Sequence, residues 1–238
     1  QKYRIITKQN NSMNRNIIIT GSAGNLGSAV VSKFKREGFK VIAVISPGSD
    51  HEVEEADDVY QFDVTDEQSV MDFSKEYQIQ YGSLECMALL VGGFAMGGID
   101  DTSSKDIEKM IRLNFFSAFN MVKHFIPLMR KANNGTFLFV GAKPALDPNE
   151  GKNVLAYALS KSMVIDLAEF IASETVNLKV RSHVFVPSII DTPPNRASMP
   201  DADFGDWVKT DEIAEAMHYA ATNAALRNMT FKLYGGVK

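Results

Sequence analysis

Tyr157 and Lys161 stand four residues apart in the run Tyr157-Ala158-Leu159-Ser160-Lys161. On a helix that spacing puts both side chains on one face, one turn apart. A free phenol loses its proton near pH 10, too high for efficient transfer at neutral pH. A neighbouring ammonium stabilises the phenolate and brings that value down. The pair therefore suits delivering a proton to a group that is receiving hydride. Alone, Tyr-x-x-x-Lys recurs by chance on surface helices, so the chemistry needs a second signal. Upstream, Thr20-Gly21-Ser22-Ala23-Gly24-Asn25-Leu26-Gly27 lies between a β-branched run and a helical pattern. Glycines there permit a tight turn and close backbone approach to a pyrophosphate, while the helix N-terminus adds unpaired N–H groups and partial positive charge. The competing reading is an ordinary glycine-rich turn; the strand before it and the helix after it favour the nucleotide.

The elements that must position these residues alternate along the chain. Apolar runs at 16–20, 41–45, 59–62, 85–91, 136–140, 178–186 and 230–234 read as strands, the sixth stopped by Pro187. Between them lie helical patterns: one after the glycine turn, closed by Gly38; one opened by a Thr65/Gln68 capping box; one over 104–131, bent near Pro127; one over 153–175; and one capped by Thr210. Strands apolar nearly throughout suit a sheet buried on both faces. The expected fold is a single-domain α/β, Rossmann-like, doubly wound parallel sheet with helices on both faces, spanning residues 15–238. The stretch 191–207 reads as a lid-like loop. Residues 1–14 are set aside as an extension or tag remnant, with Met13 read as a natural start.

Composition bounds the rest. With 45% hydrophobic and 23% charged residues the chain is an ordinary globular protein. Its 25 basic and 29 acidic residues leave a net charge of −4, which gives no reason to expect a nucleic-acid partner. No apolar run reaches the roughly 18 residues of a membrane span, so no membrane partner is expected. A single cysteine, Cys86, allows neither an internal disulfide nor a cysteine-based zinc site, and the expected location is a reducing one, the cytoplasm. The four histidines show no metal-ligand spacing, so no metal is expected.

A carboxylate at the tip of the second strand favours NAD by bonding the ribose 2′-hydroxyl, and a basic group there favours NADP. This strand ends Val44-Ile45-Ser46-Pro47, with neither. Ser46 can bond a hydroxyl or a phosphate, and the missing carboxylate tilts the expectation slightly toward NADP over NAD. Asp63, after the third strand, is either an acceptor for the adenine amino group or a helix-entry turn residue.

Taken together, Thr20 to Gly27, Asp63-Val64, Val91-Gly92-Gly93, Asn114, Tyr157 with Lys161, Pro187, Thr192 and Gly235-Gly236 resemble, in order and spacing, the short-chain dehydrogenase/reductase family over roughly residues 15–236. The resemblance implies catalytic roles for Tyr157 as proton donor, Lys161 as holder of the nicotinamide ribose, and Asn114 as support for a proton-relay water. It implies a nicotinamide cofactor held by Gly21, Ser22, Gly24, Asn25, Leu26, Gly27, Ser46, Asp63, Val64, Val91, Gly92, Gly93, Lys161 and Pro187, with Thr192 and the backbone near Ile190 on the carboxamide. It also implies a homodimer or homotetramer built on the helices that carry Phe115, Phe116, Phe119 and Phe170.

Three positions depart from the family. Asn25 and Ser188 stand where glycine is usual, and Val140-Gly141-Ala142-Lys143-Pro144 lacks the serine that polarises a substrate carbonyl. Losing such a donor typically costs about 10²–10³ in rate on a carbonyl substrate. Within the family the chain is similar to the dihydropteridine reductases, over residues 92–98, 141–147 and 191–204; they too lack the serine, and their quinonoid substrate accepts hydride without a polarised ketone. Substrate contacts are expected from Phe94, Ala142, Lys143, Met199 and Trp207. Trp207 either covers a flat ring or anchors the lid; Lys143 either meets substrate or is a solvated loop lysine. His183 reads as a satisfied core histidine. The expected function is thus an NAD(P)H-dependent reductase of a small ring substrate; the alternatives are a carbonyl reductase and a non-catalytic NAD(P)-binding sensor.

Overall fold

The computed structural model describes residues 15–236; the extension expected at 1–14 lies outside them. Nine strands and eight α-helices follow one another among these residues. The strands are β1 (Asn16–Thr20), β2 (Lys40–Ile45), β3 (Asp58–Gln61), β4 (Cys86–Leu89), β5 (Gly135–Val140), β6 (Val180–Pro187), β7 (Ile190–Asp191), β8 (Val208–Lys209) and β9 (Asn228–Leu233). The helices are α1 (Asn25–Arg36), α2 (Glu67–Gln80), α3 (Ser104–Met110), α4 (Ser117–Ala132), α5 (Pro148–Gly151), α6 (Leu155–Glu174), α7 (Pro193–Ser198) and α8 (Thr210–Thr222). Seven strands form one sheet in the order β3-β2-β1-β4-β5-β6-β9, every pair parallel. The order reverses direction between β1 and β4. At such a switch point the crevice beyond the carboxyl ends of the strands is open to a ligand.

Period-2 alternation divides each central strand between two apolar layers. Ile17 and Ile19 of β1 join Phe34, Phe185, Ile213 and Met217 under α1 and α8. Ile18 joins Phe73, Phe125, Phe139 and Val164 under α2, α4 and α6. All three isoleucines are fully buried, each contributing roughly 1.5–3 kcal/mol of transfer free energy. This double burial is why the strands lack polar alternation.

Several local expectations are corrected. Pro127 does not break the stretch 104–131: it lies inside a continuing α4, and regular α-helix gives way earlier, to a π-helical segment at Ile111–Phe116. The α2 cap is Asp66, whose carboxylate accepts the Ser69 N–H at 3.0 Å, rather than the Thr65/Gln68 box. Thr210 is the first residue of α8, not its cap; the Glu212 carboxylate accepts the Lys209 N–H at 2.9 Å. The 191–207 stretch is not a plain loop. It holds α7 and a 3₁₀ turn at Phe204–Asp206, and is closed off by the parallel pairing of β7 with β8. His183 is buried as expected, but among the described residues neither ring nitrogen has a partner, and burial pushes its pKa down to about 4. Among the described residues no helix is long and apolar enough to cross a membrane.

Candidate active site

The glycine turn sits between β1 and α1 and is strapped to its neighbours. Gly21 N–H and the buried Ser22 hydroxyl both donate to the Val44 carbonyl, at 3.0 and 3.1 Å. Ser22 therefore ties the turn to β2. Thr20 Oγ1 accepts the Leu90 N–H at 3.1 Å, tying β1 to the strand beyond the switch point. Gly21 adopts φ +69°. A Cβ on Gly27 would fall on the Gly21 carbonyl oxygen and lie 2.7 Å from Ser22 Cα, so α1 can approach the turn this closely only without a side chain there. Gly24 caps α1 with no side-chain acceptor, and the first turn holds no acid. The free N–H groups and positive end of the helix dipole suit an anion such as a pyrophosphate. Asn25, where the family has glycine, is exposed at the start of α1, so its side chain meets no obstacle.

Beyond the turn runs a cleft of about 310 Å³, lined by Gly21 and Gly24, Val44 to Ser46, Phe62 to Thr65, and Leu90 to Gly92. Of the residues assigned to the cofactor, Gly21, Gly24, Ser46, Asp63, Val64, Val91 and Gly92 meet here. Asp63 Oδ1 accepts the Thr65 N–H at 2.8 Å, the helix-entry role, while Asp63 still lines the cleft. The cleft fits the adenosine and pyrophosphate of a dinucleotide in size, shape and backbone donors. A larger cavity of about 620 Å³, bounded by Lys105, Lys109, Arg112 and Phe116, is lined by neither Tyr157 nor Lys161.

Lys161 lies on α6 and is buried, its Nζ donating to the Val140 carbonyl at 2.8 Å. Burial among weakly polar groups pulls its pKa down to about 8. Tyr157, one turn earlier and half-buried, is pushed up to about 12 by the same cause. Among the described residues no hydrogen bond joins Lys161 Nζ to the Tyr157 hydroxyl, and burial is the cause of the phenol's rise. The outcome is a phenol that keeps its proton, the state a donor needs.

Asn114 stands in the π-helical segment and is buried. Its Oδ1 accepts the Gly93 N–H at 2.8 Å, and its Nδ2 donates to the Gly93 carbonyl at 3.1 Å and to Ser160 Oγ at 2.8 Å. The amide expected to support a water is thus committed to the β4 loop and α6. Ser160, which the sequence reading passed over, completes this chain by donating to the Tyr157 carbonyl at 2.8 Å. Its burial against Asn114, on a different helical element, had no local signal. A Cβ on Gly92 would come within 2.5 Å of Asn114 Oδ1 and 3.3 Å of Lys161 Nζ, so the loop after β4 passes directly over both groups.

Phe94, the next residue along that loop, is 62% exposed and packs edge-on against the Tyr157 ring, centroids 5.1 Å apart. Ala142 is buried at the end of β5 and brings no hydroxyl. Lys143 is not a free substrate cation: its ammonium pairs with Glu150 at 2.9 Å and lies 5.5 Å from the centre of the Tyr234 ring. Trp207 is 5% exposed and packs on Phe204, which makes it the lid's anchor and corrects its placing as a substrate cover. Met199 ends α7, half-buried. Pro187 closes β6 opposite Leu233, and Ser188, in place of the usual glycine, donates to the Tyr234 carbonyl at 3.0 Å. Thr192 caps α7, accepting the Asn195 N–H at 3.4 Å.

This parallel sheet, its glycine turn and the Tyr157–Lys161 helix define a dinucleotide-dependent oxidoreductase. The chain belongs to the short chain dehydrogenase family, whose model matches residues 15–203. It is 30% identical to the dihydropteridine reductase of Dictyostelium discoideum, over 90% of this chain and 91% of that one. Among solved structures it resembles the ligand-free aldohexose dehydrogenase of Thermoplasma acidophilum, with a TM-score of 0.82, 26% identity and coverage of 94% of this chain and 93% of that one. An NADP-bound structure of ElxO shares the fold, with a TM-score of 0.83, 21% identity and coverage of 94% and 98%. The protein is therefore an NAD(P)-dependent oxidoreductase that acts on a small molecule.

Proposed function

We propose that this enzyme reduces a small, flat, electron-poor ring of the quinonoid dihydropterin class, with Tyr157 as proton donor. The bound nicotinamide would supply the hydride. One hydride and one proton convert the quinonoid ring to its tetrahydro form, so the protein's own task is to hold the ring and deliver the proton. The observation that carries the reading is the Tyr157 phenol packed beside the exposed ring of Phe94, with no hydroxyl at Ala142. A ketone needs its oxygen polarised; a quinonoid ring needs a flat apolar wall and an acid. Phe94 supplies the wall. Lys161 holds the ribose, and the backbone of Ile190 with Thr192 receives the carboxamide. The likeness to a dihydropteridine reductase along nearly the whole chain supports the same substrate class. The exposed Phe116 and Phe170 support assembly as a homodimer.

The slight lean toward NADP gives way to NADH on charge. Among the described residues no lysine or arginine lines the cleft or the two cavities that continue past the tip of β2. Asp50, Glu52, Glu54, Glu55 and Asp63 do, with His51. A 2′-phosphate there would meet a surplus of carboxylates, whereas a 2′-hydroxyl would not be repelled. Titration of the full chain, followed by nicotinamide fluorescence, should give tighter binding of NADH than of NADPH by at least tenfold at low salt. The gap should narrow as salt screens the acids. Equal affinity at low salt would remove this part of the reading.

Replacing Tyr157 with Phe removes the acid and keeps the ring that packs on Phe94. Turnover of quinonoid dihydropterin should fall by roughly tenfold, less than the usual 10²–10⁴ for loss of a general acid because so reactive an acceptor takes a proton from water. Binding of NADH should be unchanged. Full turnover by the variant would show that Tyr157 donates nothing.

A further inference from the structure

The helix α7 is folded back onto β7 by two consecutive side chains. Arg196 grips the Asp191 carboxylate with both arms, Nε to Oδ1 at 2.6 Å and Nη2 to Oδ2 at 2.7 Å, and its guanidinium lies 4.7 Å from the centre of the Phe204 ring. Asn195 reaches the residue before: its Nδ2 donates to the Ile190 carbonyl at 2.8 Å. The same residue's backbone N–H is received by Thr192, and its carbonyl accepts the Met199 N–H at 3.0 Å. Ile190 itself is fixed by the pairing of β7 with β8, next to the bond from Val208 N–H to the Ile189 carbonyl at 3.0 Å. The backbone of Ile190 is thus fixed by the β7–β8 pairing, and its carbonyl is held by a side-chain amide.

We infer that Asn195 is a positioning residue for the nicotinamide end of the cofactor, aiming the Ile190 carbonyl at the carboxamide and coupling that contact to the docking of the lid helix. The inference rests on the reading of Ile190 and Thr192 as the carboxamide's partners. A carbonyl oxygen has two lone pairs. The Asn195 N–H occupies one and fixes the direction of the other, which a carboxamide N–H then meets. Arg196 acts one residue further on, keeping α7 seated so that the Asn195 amide stays in reach. Asp191 and Arg196 bind each other and leave no free charge beside the neutral amide.

The test compares two ligands of the full chain: NADH, and ADP-ribose, which has the adenosine and pyrophosphate but no nicotinamide. Asn195→Asp keeps the shape, removes both N–H donors and sets a carboxylate oxygen against the Ile190 carbonyl. Its affinity for NADH should fall about tenfold while its affinity for ADP-ribose stays within twofold of the parent's. Asn195→Ala, read the same way, serves if the aspartate variant does not fold. A merely structural role would weaken both ligands alike, and that result overturns the inference. So does unchanged NADH binding, and so does tighter NADH binding, which would mean that the amide competes for the carbonyl instead of aiming it. A parent chain that binds ADP-ribose but not NADH would overturn the reading of Ile190 and Thr192 on which the inference stands. Binding of neither ligand would overturn the reading of the cleft itself.

Discussion

Replacing Lys161 with Met should yield a protein that melts higher and turns over far more slowly. The ammonium is buried with one carbonyl as its partner, and burial holds its pKa near 8 against 10.5 for the free side chain. That depression is a cost to the folded state of roughly 3 kcal/mol at neutral pH. A methionine fills a similar volume without it and gives up one hydrogen bond, worth about 1 kcal/mol. The net gain of about 2 kcal/mol corresponds to some 4–8 °C for a chain of this length. The sign follows from proton counting. Below pH 8 both states hold the proton and the cost is full. Between pH 8 and 10.5 the unfolded chain still holds it and the folded chain does not, so stability rises with pH across that window. The Met variant should lack that rise. Turnover should fall by about 10²–10³, and in the parent it should decline above pH 8 as the ammonium discharges. Thermal melts and rate profiles over pH 6–10 check both halves. A variant that is less stable at pH 7, or a parent whose rate is flat through pH 8, would show that the lysine is neither strained nor used.

Gly27→Ala should abolish dinucleotide binding and destabilise the fold, although it adds a single methyl group. The new carbon would fall on the Gly21 carbonyl oxygen, with the Ser22 Cα at 2.7 Å and the Gly21 carbonyl carbon at 2.9 Å. These are backbone atoms, strapped to Val44 by three hydrogen bonds, and no rotamer change relieves them. The turn must open, at a cost of about 1–3 kcal/mol, and the N–H groups that face the phosphates move with it. Fluorescence titration should show NADH affinity down at least 100-fold. By contrast Gly48→Ala, at a turn with φ +73° and open space around the added carbon, should lose some stability but no affinity. Unimpaired binding by the Gly27 variant would mean that the cradle is not where the cofactor sits.

The strand and helix order could be read from the chain because burial on two faces leaves a strong mark. Ile17-Ile18-Ile19 can only belong to an inner strand, and the glycines after it mark the turn. The chemistry of Tyr157 and Lys161 was equally legible in kind, since four-residue spacing survives any detail of packing. Their protonation was not. It depends on how deeply α6 is buried and on Val140 holding the ammonium, facts of tertiary placement. Ser160 and Asn195 were missed for a similar reason: each bonds through its side chain to a group outside its own helix, and a polar residue in a helix carries no mark of that. Trp207 and Lys143 looked available because one lies in the lid-like stretch and the other at the end of the fifth strand; Phe204 and Glu150 take them up in the folded chain.

The π-helical segment at Ile111–Phe116 has a bearing on how this chain tolerates changes in length. A π turn carries about one residue more than the α-helical path it replaces. That surplus residue sits in the turn that carries the buried Asn114. Deleting one residue there would let the helix close into regular geometry along the same path. Ser117 to Ala132 would keep their facing, and Met121, Phe125 and Met129 would stay in the core. The loss would be local: the placing of Asn114 and its bonds to Gly93 and Ser160. A codon lost from a regular core helix turns all that follows it; here a three-base deletion would spare the core and break the site.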